Sequence, residues 1–268
     1  MSKKNFPKVS VLITNFNKEK YILKALRSGL SQTYKNFEVL LYDDNSTDNS
    51  LNEIKKLRNY RLIINNDPKK GSSPQNQILG ILKIFKKSKG KYIFLLDGDD
   101  YIKKNKISFF MNYIKTNNKI KLLQDIPKLV SNKKKIKIKK KNQFFTIWPT
   151  VIPTSSICVE RKYFKNFLKY IQKDQYPDLE IDSRIIIYTY LKNELNFINK
   201  SFTYYRDNIN GITSKYNKFS SNWWKKRNQA YQYMFFLMKK FNLPIRKGPD
   251  YFLTKTINFF INLIFKLL

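Results

Sequence analysis

Histidine is absent from the 268 residues, and cysteine occurs once, as Cys158. Without histidine, a general base in this chain is naturally a carboxylate. A lone cysteine excludes an internal disulfide framework and fits a reducing compartment. Glycine is scarce, and the first one, Gly29, falls inside a helical pattern. No glycine-rich turn therefore joins the first strand to the first helix, which excludes the dinucleotide fingerprint and the phosphate-binding P-loop. The opening Met1-Ser2-Lys3-Lys4-Asn5-Phe6 leads straight into a strand without an apolar leader, so no secretion is expected.

Acids are also few, 19 against 53 Lys and Arg, giving a formal net charge of +34. Nucleic acid is the first partner such a balance suggests. The excess is mostly Lys, however, and is spread along a chain also rich in Asn, Ile, Tyr and Phe, as AT-rich codons would supply. An anionic membrane surface suits the remainder equally well. With 42% hydrophobic residues the chain folds, and its length allows one large domain or one domain with an extension.

What is present is a strand–helix alternation. Val9 to Thr14 reads as a strand, and Asn17 is placed to cap a helix over 18–31 in which Tyr21, Ile22, Ala25, Leu26 and Leu30 share a face. Strands follow at 37–42, 60–65 and 91–96, with helices at 50–58, 73–87 and 103–116. This order predicts an α/β fold with a mostly parallel central sheet flanked by helices. The lysine run 133–141, interrupted by Ile136 and Ile138, reads as a hairpin strand with a solvated basic face. From Trp223 onward the pattern is helical. The expected division is a domain over 1–215 and a helical C-terminal extension over 216–268.

The fourth strand ends abruptly in Asp97-Gly98-Asp99-Asp100. Open α/β sheets bind ligands beyond the carboxyl ends of their strands. Three acids there, with no cationic neighbour in sequence, suit a divalent metal carrying a phosphate. An acidic helix cap is the plain alternative.

Four segments gain meaning together: Thr14-Asn15-Phe16-Asn17, the turn Asp43-Asp44-Asn45-Ser46-Thr47-Asp48, Asp97 to Asp100, and Glu180-Ile181-Asp182-Ser183-Arg184. In order and spacing, over roughly residues 7 to 213, the chain resembles the family 2 inverting glycosyltransferases of GT-A fold. The missing glycine-rich first loop separates it from the sugar-nucleotide pyrophosphorylases of similar architecture. The resemblance implies that Thr14 and Phe16 line a nucleotide base, with Asp44 and neighbouring Asp43 bonding the uracil. It implies that Asp97 and Asp99 form the motif that touches ribose and holds Mn²⁺ or Mg²⁺ on the diphosphate, extended by Asp100. Asp182 aligns with the general base, although Asp178 and Glu180 are close enough in sequence to compete. Turn and cap chemistry remains the plain reading of Asp43, Asp44 and Asp48.

Two positions depart from the family pattern. Gln75-Asn76 stands where Arg-Asn is common, leaving Asn76 as the nucleotide-side residue. Tyr205-Arg206-Asp207-Asn208 has Asn in place of a histidine, which directs Arg206 toward the diphosphate or acceptor. Thr154-Ser155-Ser156 matches a small-residue segment near the acceptor channel, or is an ordinary turn.

In the segment 251–268, Lys255, Asn258, Asn262 and Lys266 form one narrow polar stripe on an otherwise apolar helix. It is short for a spanning helix, so lying in a membrane interface or packing on the domain are its two readings. The expectation is a cytoplasmic, peripheral-membrane glycosyltransferase. It moves a sugar from a UDP-sugar donor to a surface-glycan or lipid-linked saccharide acceptor, in cell-envelope polysaccharide synthesis, with no nucleic acid as partner. A basic nucleic-acid-binding protein and an inactive glycosyltransferase-like protein are the rivals.

Overall fold

A computed structural model describes residues 6–67, 71–136, 146–172, 174–207 and 215–267. A seven-stranded sheet runs in the order β3-β2-β1-β4-β8-β6-β9. Its parallel half comprises β1 (Val9–Asn15), β2 (Phe37–Asp43), β3 (Arg61–Ile64) and β4 (Tyr92–Asp97). Beyond β4 lies β8 (Ile157–Glu160), antiparallel to both β4 and β6 (Leu122–Asp125), and β9 (Leu195–Ile198) closes the edge parallel to β6. A small second sheet joins β5 (Tyr101–Ile102), β10 (Thr203–Tyr205) and β7 (Lys128–Leu129).

The period of two in the strands divides the core. Val9, Val11 and Ile13 of β1, with Val39, Leu41, Phe94 and Leu96, face α1 (Glu19–Leu30), α2 (Ser50–Lys55) and α4 (Lys106–Thr116). Leu12, Leu40, Tyr42, Ile93 and Leu95 point the other way. They meet α3 (Ser73–Lys87), α5 (Arg161–Leu168), α6 (Ile181–Leu191) and α7 (Ser221–Lys240). The chain ends in α8 (Pro249–Leu267), laid on α7.

Asn17 does not cap α1 as expected. Its backbone is left-handed at φ 50°, and its side chain instead bonds Thr47, accepting from the Thr47 N–H at 2.8 Å. The first turn of α1 is satisfied from across the chain: Lys18 N–H donates to Ser50 Oγ and Glu19 N–H to Asp48 Oδ2, each at 2.9 Å. Asp48 Oδ1 also accepts the Ser50 N–H at the start of α2, so this one carboxylate serves two helix N-termini. In the lysine run, Lys135 makes an isolated antiparallel bridge to Lys128, while 137–141 lie outside the described residues.

Candidate active site

The carboxyl ends of β1, β2 and β4 converge, with Thr14 opposite Asp97 and Asn15 opposite Asp43. After β4 the chain turns over β1, where Gly98 N–H donates to Thr14 O at 2.9 Å. A Cβ on Gly98 would lie 2.7 Å from Asn15 Oδ1 and 3.0 Å from Thr14 O, so only glycine lets the two acids flank so close an approach.

Asp100 occupies a different place from the metal position expected of it. It is buried, and it accepts Ser155 Oγ at 2.6 Å on one oxygen and the Arg206 N–H at 2.7 Å on the other. It ties the turn to two distant segments. Ser155 lies in the single 3₁₀ turn Thr154–Ser156, and its Oγ also accepts the Asp97 N–H at 3.0 Å. Beneath Ser155 the fully buried Lys106 Nζ donates to Ser155 O and Thr203 Oγ1, both at 2.7 Å, and pairs with buried Asp125 at 3.0 Å. Asp125 in turn accepts the Phe202 and Thr203 N–H groups. An ion pair so enclosed is held by completed hydrogen bonds rather than by charge alone.

Asp97 and Asp99 are half-buried at the carboxyl end of β4. Asp97 Oδ1 accepts Gln77 Nε2 at 2.7 Å, with Thr14 Oγ1 at 3.4 Å. Desolvation raises Asp97 to about 7, reinforced by the charges of Asp99 and Asp182 and opposed by Gln77 and Lys18. The absence of a cation beside this turn, read from sequence, is corrected by folding: Lys18 Nζ lies 2.8 Å from Asp99 Oδ2. Arg206 Nε donates to Asp99 O at 3.1 Å, and its guanidinium stacks on Tyr21, 4.1 Å from the ring centre. Asn208 lies outside the described residues.

Asp182 sits in the first turn of α6, with Thr154 Oγ1 at 3.5 Å from its Oδ2. Burial pushes it up to about 6, with Glu180 raising it further and Lys226 and the Ser183 N–H opposing. Its rivals are engaged elsewhere. Asp178 accepts Tyr216 OH at 2.8 Å and Gln229 Nε2 at 2.7 Å, and Glu180 pairs with Lys226 of α7. Arg184 is fully buried and donates to the carbonyls of Ile171, Gln172, Tyr176 and Leu179, holding the approach to α6.

Phe16 is 40% exposed just after β1. Asp44 Oδ1 accepts Asn65 Nδ2 at 3.0 Å and Tyr42 OH at 3.3 Å. Asp43 is not open to a nucleotide base as expected: it is fully buried and bonded to Asn15 Nδ2, Ser46 N–H and Ser46 Oγ, so it builds the turn. Gln75 is spent on a capping box with Ser72, and half-buried Asn76 lies one position before the residue that does reach Asp97. Gln77 and Lys18 were missed in sequence. Their signal was only position: one turn into α3, and at the junction from β1 to α1.

The family model described as glycosyl transferase family 2 matches residues 10–167. The chain belongs to this family. Among curated relatives, the Escherichia coli UDP-Glc:alpha-D-GlcNAc-diphosphoundecaprenol beta-1,3-glucosyltransferase WfaP is 39% identical over 109 residues, covering 40% of this chain and 41% of WfaP. The glycosyltransferase GlyG of Streptococcus pneumoniae is 35% identical over 101 residues, covering 37% of this chain and 32% of GlyG. The chain thus spans less than half the length of these relatives. Among solved structures, S. aureus TarS 1-349 in complex with UDP superposes with a TM-score of 0.59 at 18% identity, covering 84% of this chain and 65% of TarS. The Pyrobaculum calidifontis mannosyltransferase PcManGT, in complex with GDP-Man and Mn²⁺, gives 0.57 at 11% identity over 96% of this chain and 70% of that one. The GT-A fold follows from both.

Among the described residues no three acidic, cysteine or histidine side chains gather to hold a metal by themselves. Asp97 and Asp99 at one turn are instead a partial donor set, which suits a hard cation that keeps positions for phosphate oxygens. Burial first, and then the charges of Asp99 and Asp182, raise Asp97, and a bound cation would offset the cost of ionising it.

Proposed function

We propose that the protein transfers a sugar, with inversion, from a UDP-sugar to a hydroxyl of a saccharide or lipid-linked acceptor. One observation carries this reading. Of the three neighbouring acids, Asp178 is tied to Tyr216 and Gln229 and Glu180 to Lys226, whereas Asp182 at the start of α6 meets Thr154 beside the acidic turn, and burial pushes it up to about 6, a range that suits a general base. Asp182 takes the acceptor proton as the acceptor oxygen bonds the anomeric carbon. The bond from that carbon to the diphosphate breaks, and its electron pair leaves with the phosphate.

Asp97 and Asp99 would hold Mn²⁺ or Mg²⁺, which when bound offsets charge on the leaving diphosphate. Arg206 and Lys18 add fixed positive charge beside that turn. Phe16, exposed at the end of β1, offers a face for the base, and Thr14 and Asp44 offer its polar contacts, with Asn76 near the ribose. Thr154 stands on the acceptor side next to Asp182, and buried Ser155 behind it holds the acidic turn. Support for the donor comes from TarS, solved with UDP and UDP-GlcNAc. Support for the acceptor comes from WfaP, whose name specifies a diphosphoundecaprenol-linked sugar. Such an acceptor sets the enzyme to work at the cytoplasmic face of a membrane, in envelope polysaccharide synthesis.

Slow hydrolysis of a panel of UDP-sugars by the purified protein with Mn²⁺ tests the reading. Turnover of one sugar well above the rest supports it. Neither binding nor hydrolysis of any nucleotide sugar would return the chain to an inactive relative.

A further inference from the structure

Helix α8 is mounted with its polar side inward. Asp250, Thr254 and Asn258 are buried against α7. Arg227 donates to Asp250 and, at 2.9 Å, to Thr254 Oγ1, while Asn258 Nδ2 donates to Trp224 O at 2.9 Å. Phe252, Leu253, Phe259, Phe260, Leu263 and Ile264 face outward, with Phe259 64% and Phe260 55% exposed. At 3.6 residues per turn these six cover an arc of about 140°. Part of the expected polar stripe is therefore the packing face, and the apolar face lies in solvent. A folded protein rarely leaves so many large apolar side chains together without something to bury them.

We infer that this face inserts into the headgroup boundary of an anionic lipid bilayer. No helix among the described residues is long and apolar enough to cross a membrane, so α8 lies along the surface. Lys255 flanks the apolar arc, and Arg246 and Lys247 are exposed just before the helix. Among the described side chains of α8 the single acid, Asp250, is buried on the opposite side. A second copy is a poor occupant, since each chain carries a formal +34 and the face offers no acid to complement the flanking cations. Anionic headgroups supply that complement. The face is also one helix removed from the acceptor side of the site. The residues of α7 that hold α8, Trp224 and Arg227, alternate with Lys226 and Gln229, which bond Glu180 and Asp178 ahead of Asp182. This deepens the glycosyl-transfer reading, resting on it only for a lipid-linked acceptor.

Vesicles of phosphatidylcholine with and without phosphatidylglycerol test the assignment by co-sedimentation of the full chain. Binding should require phosphatidylglycerol and fall as salt is added. Phe259→Glu with Phe260→Glu should weaken it about a hundred-fold, as expected for losing two inserted rings, without changing the thermal midpoint. Should that pair unfold the protein, Leu263→Glu with Ile264→Glu repeats the measurement. Unchanged vesicle binding in a folded variant overturns the assignment. So does a parent that ignores vesicles but is a dimer these substitutions split. UDP titration in the same preparation separates the two readings: UDP binding without vesicle binding removes the lipid face alone, whereas vesicle binding without UDP binding removes the UDP-sugar reading and keeps the lipid face.

Discussion

Lys18 Nζ and Asp99 Oδ2, 81 positions apart in the chain, lie 2.8 Å from each other at the acidic turn. The ammonium stands beside the acid that the proposed metal needs, so cation and lysine compete for one carboxylate. Lys18→Met should raise the affinity for Mn²⁺ alone about five-fold, the equivalent of roughly 1 kcal/mol for a partly exposed pair. Asp99→Asn should remove the metal-dependent part of UDP binding. Calorimetry with and without chelator reads both, and equal UDP affinity in the two conditions would end the metal assignment.

Asp182→Asn should leave UDP affinity nearly intact and lower turnover by about a hundred- to ten-thousand-fold, the usual cost of losing a general base. Asp178→Asn should act differently. It removes one of the two carboxylate oxygens that accept from Tyr216 and Gln229, so the loss should appear in thermal stability more than in turnover. An active Asp182→Asn beside a folded, inactive Asp178→Asn would reverse the assignment.

Asp97 holds its proton up to about 7 in the fold, against an ordinary value of 3.8. Between those values the folded state binds a proton that the unfolded state has released. Stability of the ligand-free protein therefore falls as pH rises through that window, and the full penalty is present above it. Asp97→Asn should raise stability by about 2 kcal/mol near neutral pH and above, and change little below the ordinary carboxylate range. Thermal unfolding across pH measures this. A variant less stable than the parent at high pH contradicts the sign.

Lys106→Met should cost about 3–5 kcal/mol, because Asp125 would be left charged in a dry interior. Urea denaturation gives the value. A cost below about 1 kcal/mol would mean that Asp125 takes up a proton instead.

Much of the architecture was legible in sequence, for identifiable reasons. Helix α3 begins where expected because Ser72 and Gln75 make a capping box and Pro74 sits in the first turn. The parallel strands β1, β2 and β4 are mostly apolar runs buried on both faces. The two- and four-residue strands β5, β7 and β8 carry no such period, and β8 reverses direction between β4 and β6, which no local pattern announces. In the site, the acids were visible because they follow strands. Their partners Gln77, Lys18 and Lys106 were not, since each meets its acid only after distant segments pack. Periodicity also found the polar stripe of α8 but carries no sign: it cannot say which side meets protein until the partner helix is in place.

Asp100 receives one hydrogen bond from Ser155 and one from the Arg206 backbone, and Asp125, which holds Lys106 in place, depends on residues 202 and 203. During synthesis the parallel half of the sheet and the whole acidic turn leave the ribosome well before these contributors exist. Until residue 206 docks, the buried carboxylate has lost a backbone donor and the ion pair beneath it lacks its enclosure. A nascent or truncated chain ending near residue 167 would carry every strand of the donor half yet hold its acidic turn only loosely. Catalytic competence should therefore appear late and all at once, with closure of a ring whose ends are more than a hundred residues apart.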